Sequence, residues 1–367
     1  MYIKICMVFL AVFIPFLCTA DDVFIIGAAG NTSNSIAKSC LNMAELIASE
    51  YSDTINGRYV ETAVFDDTSA DFKKDMKNTK NLIAVIGCFD ERHSEAVEAM
   101  EKTSFISVCS QYEAFNEYDN AYRICASESQ LAAALARTDI AVFGRRNFGV
   151  IYVEGNEDYK SMADAYTETV RENGAVISQF RGVSPERTDF KNILIYLRDK
   201  RVRVIYFAGG SRQAGMIARQ ANELNVGAVF TGTSDIFTRK FIKSAKSGGE
   251  GAEFTTKLSP ESVWQMKSFA PVMRKYSKRY TEVNKYLPYI YEAALTAGEI
   301  CEYISDGGGD VKEYLKNMKQ KGITGDIIFN DRGERLDPAF YLYIIRRSTF
   351  WHYPIKGETL EKYKKAK

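Results

Sequence analysis

The sequence predicts an α/β protein with two doubly wound parallel sheets, one after the other in the chain. Strand and helix patterns alternate with short gaps from Asp21 to about Phe254, and the alternation starts afresh after Ala126-Ser-Glu-Ser. Strands that alternate with helices pair in parallel through right-handed crossovers. The 367 residues also exceed what one hydrophobic core usually organises. We therefore expect two lobes.

The first set of elements alternates regularly. Apolar runs indicate its strands, and an apolar residue every third or fourth position, as at Ile36, Leu41 and Ala44, indicates its helices. The predicted strands are 23–26, 59–65, 82–86, 105–108 and 122–125, and the predicted helices are 35–50, 71–80 and 94–102.

The second set repeats this architecture, and a different pattern follows it. Its predicted helices are 131–142, 159–173, 189–198 and 213–224, and its strands are 148–152, 175–180, 202–207 and 228–231. The remaining sequence predicts helices 261–286, 288–303 and 311–319, then strands 327–330 and 340–346 as an antiparallel pair around a turn. A basic tail ends the chain.

The first twenty residues have the order of a secretory signal peptide. Lys4 precedes an apolar stretch from Ile5 to Cys18, and small residues stand before Asp21. This stretch is shorter than the about 20 residues that a membrane-spanning helix needs. We expect cleavage after Ala20 and an exported, soluble chain. A lipid anchor at Cys18 is the second interpretation, which the preceding Pro-Phe-Leu disfavours.

Charge and cysteine content exclude several classes of function. Removing Lys4 from the 48 basic residues leaves as many basic as acidic side chains, so nothing indicates binding to nucleic acid. The remaining cysteines, which contain no Cys-x-x-Cys pair, do not predict a zinc site, and we expect no cofactor. These are Cys40, Cys88, Cys109, Cys125 and Cys301. Export permits a Cys88–Cys109 disulfide, but buried free thiols are the preferred interpretation.

Four pairs of segments carry a family resemblance. They are Gly27-Ala-Ala-Gly30 with Leu41-Asn-Met-Ala-Glu-Leu46, Thr188-Asp-Phe190 with Val204-Ile-Tyr-Phe-Ala-Gly-Gly210, Arg219-Gln-Ala-Asn-Glu-Leu224 with Val229-Phe-Thr-Gly232, and Gly322-Ile-Thr-Gly325 with Phe329-Asn-Asp-Arg-Gly333. In order and spacing they resemble the exported solute-binding proteins of the leucine/isoleucine/valine-binding type, the type I periplasmic binding proteins.

The resemblance implies two lobes joined by three crossovers, with a ligand held in the cleft between them. The crossovers would lie near Ala126, near 251–256 and near Asp337. The implied limits are 1–20 for the signal peptide, 21–125 plus 255–336 for the first lobe, 126–254 plus 337–352 for the second lobe, and 353–367 for the tail.

The resemblance also implies the candidate site. Two serines that hold an amino acid's carboxylate in the family fall here at Glu91 and Arg92, and a desolvated Glu91 would repel such a group. A branched-chain amino acid is therefore in doubt as the solute. The candidate ligand-binding residues are Asp90, Glu91, Arg92, Ser110, Gln111, Tyr112, Tyr159, Ser211, Arg212, Ser234 and Asp235.

Several of these residues have a second interpretation. Asp90 and Glu91 could cap the helix that follows their strand, because acids are favoured at helix N-termini. Arg92 and His93 are predicted to lie on the solvated surface. Asp235 is expected to cap the next helix, with ligand contact as the alternative. Arg212 could grip an anionic group or pair with a neighbouring acid.

The resulting prediction is a periplasmic, monomeric solute-binding protein. It would capture a small polar solute, such as an amino acid or a related compound, and deliver it to the membrane permease of an ABC importer. A sensory module for a membrane receptor and a degenerate protein without a solute are the alternatives. Enzymatic activity is not expected, because the Gly-x-Ser-x-Gly, phosphate-loop and His-Glu-x-x-His motifs are absent from the sequence.

Overall fold

A computed structural model describes residues 23–31, 33–51, 55–56, 58–110, 112–144 and 146–353. The predicted signal peptide, Gln111 and the tail beyond 353 lie outside the described residues.

The first sheet is five-stranded and entirely parallel. Its strands are β1 (Val23–Ala29), β2 (Tyr59–Phe65), β3 (Leu82–Gly87), β4 (Ser104–Ser107) and β5 (Ala121–Arg123), and helices α1 (Ser35–Glu50), α2 (Phe72–Asn78) and α3 (Ser94–Glu98) connect them. The spatial order β2-β1-β3-β4-β5 reverses direction at β1, as in doubly wound folds. Buried apolar clusters cover both faces, which explains the continuous apolar runs of the strands.

The second sheet repeats that arrangement. Its elements are α4 (Glu128–Phe143), β6 (Asn147–Val153), α5 (Glu157–Glu172), β7 (Val176–Val183), α6 (Lys191–Asp199), β8 (Val204–Ala208), α7 (Ser211–Glu223), β9 (Val229–Gly232), α8 (Arg239–Ala245) and β10 (Glu253–Thr256). Parallel strands in the order β10-β9-β8-β6-β7 form its main part. The predicted α/β class and doubly wound sheets are confirmed.

The last part of the chain returns to both sheets. It contains α9 (Ala270–Tyr276), α10 (Leu287–Ser305), α11 (Val311–Asn317), β11 (Gln320–Lys321), β12 (Asp326–Ile327), β13 (Tyr341–Arg346) and β14 (Thr349–Tyr353). Helix α10 packs against β3 and β4 of the first sheet, whereas β13 pairs with β10 of the second. The backbone thus passes between the sheets three times, near residues 126, 256 and 337.

Two predictions about this last part were wrong. The predicted helix 261–286 is helical only at α9 in the described structure. Pro271 explains where α9 begins, because it stands in the first turn, where a missing N–H is tolerated. The predicted strands 327–330 and 340–346 do not pair with each other. Instead, β12 pairs with β11, and β13 pairs antiparallel with β10 and β14.

A buried ion pair holds the third passage in place. Arg335 Nη1 lies 2.8 Å from Glu292 Oε2 on α10, and both side chains are fully buried. Arg335 also donates to the carbonyl oxygen of Ile124, at the first passage, over 3.2 Å. Glu292 Oε1 accepts from Thr324 N at 2.6 Å, and a Cβ at Gly322 would collide with the same oxygen. The Gly322-Ile-Thr-Gly325 motif therefore wraps around this carboxylate.

Arg335→Met tests how much this ion pair contributes to the stability of the fold. Because Glu292 would be left buried without its partner, we expect a loss of about 3–5 kcal/mol in unfolding free energy, measured by urea denaturation followed by circular dichroism. Lys275→Met is the matched control, since Lys275 pairs with Glu50 at an exposed position, where ion pairs contribute little. Equal losses in the two variants would contradict the assigned role of the buried pair.

Candidate functional site

The two sheets meet at the carboxyl ends of their parallel strands. The loop after β4 contacts the start of α5, where Glu113 N donates to Asp158 Oδ1 over 3.4 Å. A cavity of about 670 Å³ lies here. Tyr112, Glu113 and Glu117 line it from the side of the first sheet, and Ser129 and Asp158 line it from the side of the second. Doubly wound sheets bind ligands at this edge.

The loop after β3 is a capped turn. Residues Glu91–His93 form one turn of 3₁₀ helix, and Asp90 Oδ1 accepts from Arg92 N at 3.0 Å. The same carboxylate pairs with the Arg92 guanidinium at 2.7 Å. Burial opposes ionisation of Asp90, but the Arg92 hydrogen bonds and the nearby His93 outweigh it and lower the pKa of Asp90. Asp90 thus serves as the cap, whereas Glu91 and Arg92 are exposed.

The prediction of a solvated His93 was wrong. His93 is 2% exposed, and its ring meets those of Phe72 and Phe89 edge-on at centroid distances of 5.5 Å. Its Nδ1 accepts from Asp90 N at 3.0 Å, which completes a capping box. The imidazole can leave the surface because the turn's backbone satisfies Nδ1, two aromatic rings pack against it, and Nε2 lies 3.5 Å from Asp67 Oδ2.

The loops after β3 and β4 are cross-linked. Cys88 and Cys109 form a disulfide, so the preferred interpretation of two free thiols was wrong. The parallel pairing of β3 with β4 brings these two residues together just beyond the ends of the strands. Cys40, Cys125 and Cys301 are free and buried, as expected.

Ser110 supports this cross-link. Ser110 is buried, and its hydroxyl donates to Phe89 O at 2.5 Å, while Ser110 Oγ itself accepts from Tyr112 N at 3.1 Å. The Ser110 hydroxyl is therefore used inside the protein. Tyr112 is partly buried at the cavity.

The loops of the second sheet bring three predicted residues together. The Tyr159 hydroxyl donates to Asp235 Oδ2 at 3.1 Å, and Thr233 Oγ1 approaches the same oxygen at 3.3 Å. The neighbouring Ser234 hydroxyl donates to Glu128 Oε2 at 3.1 Å. The expectation that Asp235 caps the following helix was wrong, because Thr238 caps α8 and Asp235 binds Tyr159 instead.

Electrostatics make this group a candidate for binding a cation or a hydrogen-bond donor. Burial, reinforced by the Glu128 charge, raises the pKa of Asp235 although the bonds from Tyr159 and Thr233 oppose the rise. Burial and the Asp235 carboxylate raise the pKa of Tyr159, so its hydroxyl remains a donor. The Asp235 carboxylate is half-buried, and its hydrogen-bond partners among the described residues are two hydroxyls, so it attracts an additional donor.

Ser211 and Arg212 open helix α7 after the Gly210 cap. Ser211 is partly buried and Arg212 is exposed. In the described part of the chain, no hydrogen bond joins either of them to the Tyr159–Asp235 group.

The sequence did not reveal three charged residues of this region. Glu128 Oε1 lies 3.2 Å from Lys257 Nζ, and both side chains are buried. Glu113 Oε1 accepts from Ser129 N at 3.2 Å, and burial raises the pKa of Glu113, opposed by the Arg123 charge. Each partner lies on another element, so neither pairing leaves a local signal. The restart at Ala126-Ser-Glu-Ser was the one available indication for Glu128.

Neither a metal-binding group nor a membrane-spanning helix is found among the described residues. Among them, no group of three or more His, Cys, Asp or Glu side chains could hold a metal ion. No helix within the same ranges is long and apolar enough to cross a membrane.

Two doubly wound sheets that face a common cleft with hydrogen-bonding loops define a two-lobed binding protein. A sequence model described as periplasmic binding protein matches residues 24–349. The chain belongs to the periplasmic binding protein family, which confirms the resemblance stated from the sequence.

The chain is also similar to curated proteins. A Leu/Ile/Val-binding protein homolog 1 from Brucella suis is 23% identical over 228 residues, which are 61% of this chain and 60% of that protein. The chain thus matches about three fifths of the length of that curated relative.

Solved structures share the fold at low identity. The leucine binding protein LivK from Thermotoga maritima superposes with a TM-score of 0.59 at 18% identity, covering 90% of this chain and 97% of LivK. A solute binding protein from R. palustris in complex with 4-hydroxybenzoate gives 0.63 at 14% identity, covering 91% of this chain and 96% of that one.

Asp235→Asn tests the electrostatics of the Tyr159–Asp235 group. A raised pKa means that folding favours the neutral carboxyl: this stabilisation is complete below the unfolded pKa, about 3.9, and is lost as the pH rises through the folded pKa. Asn stays neutral and can still accept from Tyr159. We therefore expect the variant to melt above the wild type at pH 7, with the difference shrinking towards pH 4.

The control is Asp199→Asn on an exposed helix end, which should follow the wild type at each pH. An Asp235→Asn variant that melts below the wild type at pH 7 would contradict the assigned environment of Asp235.

Proposed function

We propose that this protein binds a small polar solute between its two lobes and presents it to a membrane permease of an ABC importer. The observation that carries the proposal is the Tyr159–Asp235 group at the strand ends of the second sheet. The loop after β4, which a disulfide joins to the loop after β3, contacts Asp158, the residue next to Tyr159, through Glu113 N. Ligand contacts to both lobes would favour the closed state and shift the equilibrium towards it.

The proposed lobes follow the limits predicted from the sequence. Residues 21–125 with 255–336 form the first lobe, and residues 126–254 with 337–352 form the second. A signal peptide over 1–20, cleavage after Ala20, a periplasmic location and a monomeric state belong to the same proposal. The family membership supports this location, and binding without catalysis is the role that the site chemistry supports.

The proposed solute carries a donor group, such as an ammonium or an amide, that meets Asp235. The names of similar proteins mention leucine, isoleucine and valine in one case and 4-hydroxybenzoate in another. Members of this fold therefore differ in their solutes, and the residues that line each cleft determine which solute is bound. Here Asp90 caps its own turn and Ser110 bonds within its lobe, so these two groups have fewer free bonds for a solute.

That internal use of Asp90 and Ser110 also favours a second candidate function, a binding protein that has lost its solute and acts through its surface. The two functions differ in one property: only the first requires that a small molecule stabilise the protein.

A thermal-shift screen separates them. Amino acids, amides, polyamines and small organic anions are added singly to the purified mature protein. A solute at 100 times its Kd should raise the unfolding free energy by about 2.7 kcal/mol. Asp235→Ala should abolish most of this shift, and Asp199→Ala should preserve it. If no solute of any class shifts the wild type, the solute-binding proposal is wrong.

A further inference from the structure

Glu113 joins elements of both sheets at one edge of the cleft. It opens the short 3₁₀ segment Glu113–Glu117 that follows β4. Its backbone N–H donates to Asp158 Oδ1 at 3.4 Å, in the first turn of α5. Its carboxylate accepts from Ser129 N at 3.2 Å, in the first turn of α4. Both helices pack on the second sheet, so this one residue contacts the opposite lobe twice.

The carboxylate is favourably placed at α4. Helix N-termini carry unsatisfied N–H groups and the positive end of the helix dipole, which attract an anion. Helix α4 has 16 residues, and its Ser127 cap already binds Gln130 N. Glu113 therefore takes a different N–H of the same first turn and makes a charge-assisted bond.

Hydrogen bonds from Arg123 hold the described residues on both sides of Glu113. Arg123 is fully buried and donates to Ser110 O at 3.1 Å and to Tyr112 O at 2.9 Å, just before Glu113. Arg123 Nε also donates to Asn116 Oδ1 at 2.9 Å, just after it. The Cys88–Cys109 disulfide holds the start of the loop. A contact made by Glu113 is therefore linked to the first sheet, because Arg123 lies on β5.

We propose that Glu113 is an interlobe latch, which holds the loop after β4 against the first turns of α4 and α5 in the absence of solute. The latch limits how far the lobes open at this edge. The latch also raises the population of the closed arrangement before any solute arrives. The apparent affinity for solute falls when few molecules are in the binding-competent state, so the latch reduces this loss of affinity. The latch does not depend on the identity of the solute or on the proposed transport role.

Distances between the lobes test the latch without a solute. Spin labels at Glu98→Cys, on the exposed end of α3, and Asp199→Cys, on the exposed end of α6, report lobe separation by double electron–electron resonance. The remaining free cysteines of the described chain are buried and should stay unlabelled. Glu113→Ala should lengthen and broaden the distance distribution, with an about tenfold fall in the ratio of closed to open molecules.

A control and a second variant make the outcome decisive. Glu117→Ala removes an exposed acid from the same 3₁₀ segment and cavity wall, and should retain the wild-type distribution. Asp158→Ala removes the other partner from the opposite lobe and should shift the distances in the same direction as Glu113→Ala. If Glu113→Ala fails to fold, Asp158→Ala alone tests the latch. Wild-type distances in Asp158→Ala, with or without a folded Glu113→Ala, would overturn the latch.

Discussion

The first turn of helix α4 is the constraint on which the arrangement of the two lobes depends. Glu128 in that turn pairs with Lys257 at the second passage between the sheets. Gln130 donates to Arg335 O at 2.8 Å at the third passage, and Ser127 caps the turn directly after the first passage. Three backbone connections therefore meet at one helical turn. Buried ion pairs of this kind cost desolvation and need good geometry, so they favour one arrangement of the crossovers.

The same turn lies next to the proposed solute contacts. Glu128 accepts from the Ser234 hydroxyl, and Ser234 is adjacent to Asp235. A solute that binds Asp235 would thus lie next to Ser234, which is hydrogen-bonded to the Glu128–Lys257 ion pair. The Glu113 contact with Ser129 adds the first lobe to this turn. The proposed solute contacts, the crossovers and the proposed latch are thus linked through hydrogen bonds and neighbouring residues of one helical turn, and we propose that this linkage couples solute contact to lobe movement.

The fold could be predicted from the sequence because its signals are local. Apolar runs, helical spacing and the restart at residue 126 each depend on neighbouring residues, and they placed most strands within a few positions. The prediction of one helix over 261–286 was wrong. The composition of this segment favours a helix, but Pro271 marks the start of a shorter one. The site was harder, because Asp235, Glu113 and His93 acquire their roles from partners on other elements. A single sequence carries no record of such pairings.

The most direct measurement is small-angle X-ray scattering of the purified protein with and without a solute that stabilises it. The central claim is that the lobes move as units about the first turn of α4 and close on the solute. The account predicts a smaller radius of gyration at saturation, with a titration midpoint equal to that of the thermal shift. Saturating binding with an unchanged radius of gyration would contradict it.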